Sequence, residues 1–167
     1  MQYMKFFTRE WHSGALSDEH AEAVALAYET HVRTLAPALP DDLSRLTTIS
    51  LHDGLIEQVV ANTTAGTLTC TLRIGNLQIG YSTLELAYAG VLLPGRDSSM
   101  FRELVRTGAE ILSDELDVST EGYVHRLYFS TADEIAIVFE TLALTQVRRT
   151  DRSISIPIGE RFRLIEG

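Results

Sequence analysis

The hydrophobic pattern of this chain changes period, and that change limits it to one fold class. Over residues 17–35, Ala21, Val24, Ala25, Tyr28, Val32 and Leu35 recur at intervals of three and four, which puts them on one stripe of an α-helix. Ser17 supplies an N-cap oxygen, Asp18 and Glu19 suit the positive end of the helix dipole, and Pro37 and Pro40 close the run. Residues 41–46 add one short helical turn. Beyond them the period is mostly two. The clearest strand is 67–74, with Leu68, Cys70, Leu72 and Ile74 on one side. Further strands are expected over 47–52, 55–61, 77–93 (bent near Gly80), 123–129 and 134–147. A short edge strand runs through Ile154, Ile156 and Ile158, with 162–165 as its extension. Asp53-Gly54, Gly75-Asn76, Glu121-Gly122 and residues 130–133 are the turns between strands.

Residues 98–118 fit both periods. Phe101, Leu104, Val105, Leu112 and Leu116 make a helical stripe, yet Gly108 reads as a helix C-cap in its middle. Splitting there gives a short helix over 99–107 and a strand over 110–118, and leaves 109–118 as the stretch open between strand and helix. The expected fold is α+β, a single domain over 1–167. An N-terminal helix packs on a largely antiparallel meander of about seven strands with one short inserted helix.

Composition narrows the function classes. The chain has 14 basic and 23 acidic residues, a net charge of −9, which argues against nucleic acid and against anionic membranes as partners. No apolar run approaches the ~20 residues of a membrane span. Thr8, Arg9 and Glu10 follow Phe6-Phe7 at once, so no signal-peptide core forms, and a cytoplasmic location is expected. Cys70 is the one cysteine, which excludes an intrachain disulfide. The charge is uneven. From residue 148 onward there are five basic and three acidic residues, a net of +2, against nine basic and twenty acidic before it, −11. Arg148, Arg149 and Arg152 in this tail either pair with the acidic body or form a small strip that contacts a partner.

The motifs that encode chemistry by spacing are absent: no phosphate-binding Gly-rich loop, no Gly-x-Ser-x-Gly, no His-Glu-x-x-His and no Cys-x-x-Cys. No metal site or cofactor is expected. His52 and Asp53 could pair as a base with its orienter, or as metal ligands, but Asp53-Gly54 is also what a tight turn requires. His125 alternates with Tyr123, Leu127 and Phe129 and reads as a packed, hydrogen-bonded histidine, with Arg126 solvated on the opposite face. Asp114 falls on the side of Leu112 and Leu116 and so needs a partner, for which His125 lies across the hairpin. Glu115 and Asp117 share the other face, too few oxygens for a divalent cation. His20 and His31 fall on the polar side of the first helix or at its margin. Trp11, with Phe6 and Phe7, is either a hydrophobic strap or an exposed anchor for a protein partner.

The string Met4-Lys5-Phe6-Phe7-Thr8-Arg9-Glu10-Trp11 resembles the opening of a family of uncharacterised bacterial proteins known only as a domain of unknown function. Leu51-His52-Asp53 with Ile56, and Asp114-Glu115 with Tyr123-Val124-His125, are similar to two further markers of that family. The resemblance implies a bacterial origin and a family-like start at Met4, and it carries no activity. Three functions follow as expectations. The first is a non-catalytic protein-interaction or regulatory domain, of immunity type, with an unidentified protein partner. The second is a hydrolase-like or metal-assisted enzyme using His52, Asp53 and His125. The third is a small-ligand binder with its pocket between the sheet and the first helix.

Overall fold

Two side-chain oxygens start the helical part of the chain. In the computed structural model, which describes residues 2–92, 95–150, 156 and 158–166, Thr8 caps α1 (Arg9–Ser13) by accepting the Trp11 N–H. Ser17 caps α2 (Asp18–Leu35) by accepting the His20 N–H. The expected stripe of α2 is half-buried along its length. Helix α3 (Asp41–Leu46) is anchored by the buried Leu43 and Leu46. Among the described residues no helix is long and apolar enough to cross a membrane.

Eight strands follow: β1 (Gly54–Asn62), β2 (Thr67–Asn76), β3 (Gly80–Ala89), β4 (Glu110–Ser119), β5 (Gly122–Phe129), β6 (Glu134–Phe139), β7 (Thr141–Arg149) and β8 (Phe162–Ile165). Helix α4 (Gly95–Thr107) stands between β3 and β4. The fold is α+β, as expected. Residues 98–118 split at Gly108, whose left-handed φ of 68° ends α4 before β4 begins.

The strand path is β6-β5-β4-β1-β2-β3-β7, antiparallel at every step, with β8 added parallel to β1. Its two end strands, β6 and β7, are consecutive in sequence and separated by Glu140 alone. The sheet therefore curls far enough to bring the end of β6 beside the start of β7. Glu140 N–H donates to the Ala89 carbonyl at 2.9 Å, and Leu92 N–H to the Val138 carbonyl at 2.9 Å, tying the end of β3 to β6. Inside the curl, Tyr88 of β3 reaches Phe139 of β6, with ring centroids 5.0 Å apart. Cys70 is buried with Leu68 and Leu72 in the same core, and burial pushes its thiol up to about 12.

Four expectations are corrected. Residues 47–52 are not a strand. The Thr47 and Thr48 hydroxyls donate to the Ser44 and Arg45 carbonyls, and this local bonding continues the turn of α3. The β2–β3 hairpin does not turn at Gly75-Asn76. Gly75 pairs with Tyr81 inside the ladder, and Asn76 Oδ1 accepts the Gln78 and Ile79 N–H groups to shape the loop. Gly75 has φ 103°, and a Cβ there would stand 2.1 Å from the Gly80 carbonyl oxygen, so only glycine fits. Residues 134–147 form two strands, since the chain leaves one end of the path for the other at Glu140. Of the edge strand expected through Ile154, Ile156 and Ile158, Ile154 lies outside the described residues. Ile158–Glu160 is a 3-10 turn, and β8 pairs with β1 on its own account.

Candidate functional site

The most irregular part of the sheet is β4. It pairs with β1 only at Gly54–Ile111 and Leu55–Glu110 and then leaves it, with a bulge between Ile111 and Ser113 on the β5 side. Among the described residues no strand lies beside the edge of β4 that faces away from β5 from Leu112 onward, and side chains bond to it instead. His52 Nδ1 donates to the Leu112 carbonyl at 2.8 Å, and His31 Nε2 to the Leu116 carbonyl at 3.2 Å. Tyr28 Oη accepts the Leu116 N–H at 2.9 Å. Strand alternation puts the main-chain N–H and C=O of Asp114 on the same edge, between these two sets of partners. A groove of about 380 Å³ opens there. Phe7, Trp11 and Tyr28 line it on the helical side, Leu46, Ile49 and Leu51 on the side of the α3 turn, and Asp114 and Leu116 on the strand.

Asp114 is held from behind. Its Oδ2 lies 2.8 Å from His125 Nε2, and His125 Nδ1 lies 2.7 Å from Tyr88 Oη. His125 is wholly buried, and burial holds the Tyr88 hydroxyl well above its ordinary pKa. Tyr88 therefore keeps its proton, and His125 bridges its hydroxyl to the carboxylate, donating Nε2–H to Asp114. The second Asp114 oxygen stands outside this chain of bonds, on a side chain that is 20% exposed.

Two more histidines reach the groove. His12 Nε2 lies 2.8 Å from Ser113 Oγ, and its ring stacks on Tyr128 at 4.3 Å. Its pKa is lowered by burial first and by the nearby His52 second, which keeps the ring neutral at pH 7. His52 stands at the exposed mouth, its Nε2 3.4 Å from Asp53 Oδ1.

The opposite face of β4 does different work. Glu115 is wholly buried and accepts three backbone N–H groups, from Lys5 at 3.0 Å, Phe6 at 2.7 Å and Phe7 at 2.8 Å. Glu134 of β6 accepts two more, from Tyr3 and Met4. Arg126 is buried beside them and pairs with Asp117 at 2.9 Å and Glu115 at 3.5 Å, so it is not solvated as expected. Burial alone would raise the Asp117 pKa, but Arg126, the Val118 N–H and Lys5 together outweigh it and bring it down to about 2. This face binds the N-terminal segment down.

The structure thus joins Asp114 to His125 and does not bring His52 and Asp53 into that pair. Glu115 faces away from Asp114 and His125. Trp11 is a strap: its Nε1 donates to the Ala21 carbonyl at 3.0 Å and its ring packs on Phe7. His31 sits on the inner margin of α2. Arg149 pairs with the buried Glu57, and Arg148 lies against Gly80. Arg152 lies outside the described residues. Sequence reasoning missed His12, Tyr28, Tyr88 and Ser113. Tyr28 stood in the helical stripe with its hydroxyl unexplained, which was a usable signal; His12 and Ser113 had none. Among the described residues no three of His, Cys, Asp and Glu gather as a metal ion would require.

The chain was compared with family models, curated proteins and solved structures. It matches none of them.

Proposed function

We propose that this protein binds a small organic molecule in the groove between β4 and helices α1 and α2. The observation that carries this reading is the opened edge of β4, with Asp114 held there by the buried His125. A polar group fixed from behind in a mostly apolar recess of about 380 Å³ is the usual composition of a ligand site. The enzyme reading through His52, Asp53 and His125 has less support, since His125 is occupied by Asp114 and Tyr88 while His52 and Asp53 stand on an exposed turn. The interaction reading has less support at its expected residues, because Trp11 and Arg149 bond within the chain. Kinship with that bacterial family, on the resemblance of residues 4–11, and a cytoplasmic location, on the polar Thr8-Arg9-Glu10 that follows Phe6-Phe7, belong to the same proposal.

Trp11 is the one tryptophan and lines the groove, so its emission reports on occupancy. A fragment screen should yield compounds that both shift Trp11 emission and raise the melting temperature. Ser50→Phe, which places a ring from the exposed rim into the groove, should abolish both effects. Compounds that stabilise the protein without touching Trp11 emission, and bind Ser50→Phe equally well, would sink the proposal.

A further inference from the structure

Among the described residues the lining of the groove holds one carboxylate, Asp114, and no lysine or arginine, and that asymmetry specifies a ligand class. His125 Nε2–H donates to one Asp114 oxygen from behind, and the other oxygen stands outside that bond on a side chain that is 20% exposed. Burial lowers the pKa of His12, away from its charged form. Arg126 and Lys5 are matched with Glu115 and Asp117 on the other face. His52, at the mouth, has Asp53 beside it.

Three aromatic rings share the recess with this carboxylate. Phe7 packs edge-on against Trp11 at 4.9 Å and against Tyr28 at 5.2 Å, and all three line the groove. Aromatic faces attract cations through their quadrupole, most of all where water is displaced, and a carboxylate beside them adds a charge-assisted hydrogen bond. A metal ion would want more oxygen ligands than one carboxylate supplies. An anion would be repelled by that carboxylate. The net charge of −9 draws cations toward the molecule from a distance.

We infer that the groove takes a small organic ammonium ion, its charged nitrogen against Asp114 and its apolar or aromatic body against Phe7, Trp11 and Tyr28. The inference rests on the groove being a ligand site and adds the chemistry of the ligand.

Three probes of one shape separate the two claims: phenethylamine, phenethyl alcohol and phenylacetate, each titrated against Trp11 emission at neutral pH. Phenethylamine should bind about tenfold or more tighter than the alcohol, with phenylacetate weakest. Asp114→Asn should remove the amine's advantage and bring it to the level of the alcohol. The asparagine oxygen still accepts the His125 Nε2–H, so the melting temperature should hold. Should that variant fold poorly, the ranking of the three probes on the unaltered protein decides by itself. If the alcohol or the acid binds as well as the amine, or the amine keeps its advantage in Asp114→Asn, the ammonium assignment is overturned and the groove stands. If none of the three changes Trp11 emission up to millimolar concentration, both are overturned.

Discussion

Asp114 and Glu115 are neighbours on one strand, both carboxylates, and they do opposite work. Glu115 points to the face covered by the N-terminal segment, where three backbone N–H groups and Arg126 saturate it. Asp114 points to the other face, beside the groove, where one buried histidine fixes it and leaves an oxygen over. The difference lies in what covers each face. A carboxylate with all its acceptor sites filled within the protein is structural, and one held in place but incompletely bonded beside a groove is available to a ligand.

The comparison can be broken at several points. The largest effect should come from Glu115→Leu, which strands three N–H donors and leaves Arg126 with Asp117 alone. It should cost about 3–5 kcal/mol in urea unfolding and open residues 3–12 to proteolysis. A loss below about 1 kcal/mol would mean that the segment is held by its aromatic contacts instead. Next, His125→Phe should cost about 2–3 kcal/mol, because the buried Tyr88 hydroxyl loses its hydrogen-bond partner, whereas Asp114→Asn should cost under about 1 kcal/mol. Equal costs would erase the distinction between the buried and open ends of that bond.

Acid should act on the Glu115 side. The Asp117 carboxyl sits at about 2 in the folded chain against an ordinary 3.8. A depressed carboxylate stabilises the fold fully above its ordinary value, and that contribution is lost as pH falls from about 4 to about 2. Asp117→Asn should flatten the acid limb of a stability–pH curve over that window; an unchanged limb would show that other carboxylates govern it. The smallest effect should be that of His52→Asn at the exposed mouth, within about 0.5 kcal/mol by the same unfolding measurement. A larger loss would make the His52–Leu112 bond a structural prop of the groove.

Local signals carried much of this arrangement. The Ser17 cap and the stripe of α2, the alternation of β2, the split at Gly108 and the pairing of Asp114 with His125 all follow from parity and spacing over a few residues. What could not be read depends on which distant elements meet. Alternation put Arg126 opposite His125 but could not say that residues 3–7 would cover that face. The groove exists because β4 leaves β1 after two pairs, and no period in either strand records that parting. His12 enters the site from a helix of five residues, too short to leave a pattern.

Glu140 bears on how the chain reaches this state. The hairpins of each meander can form early, because their contacts are local. The pairings of β4 with β1 and of β7 with β3 each close a long stretch of chain, and that entropy must be met before the contacts return anything. Since β6 and β7 occupy opposite ends of the path and share a one-residue joint, β7 cannot find its place until both meanders have. Refolding should therefore be limited by the docking of the two halves of the path. β6 and β7 end that path without pairing with each other, so a chain cut at Glu140 would release two strand edges from their shared joint, and other copies of the same chain would be able to cover them.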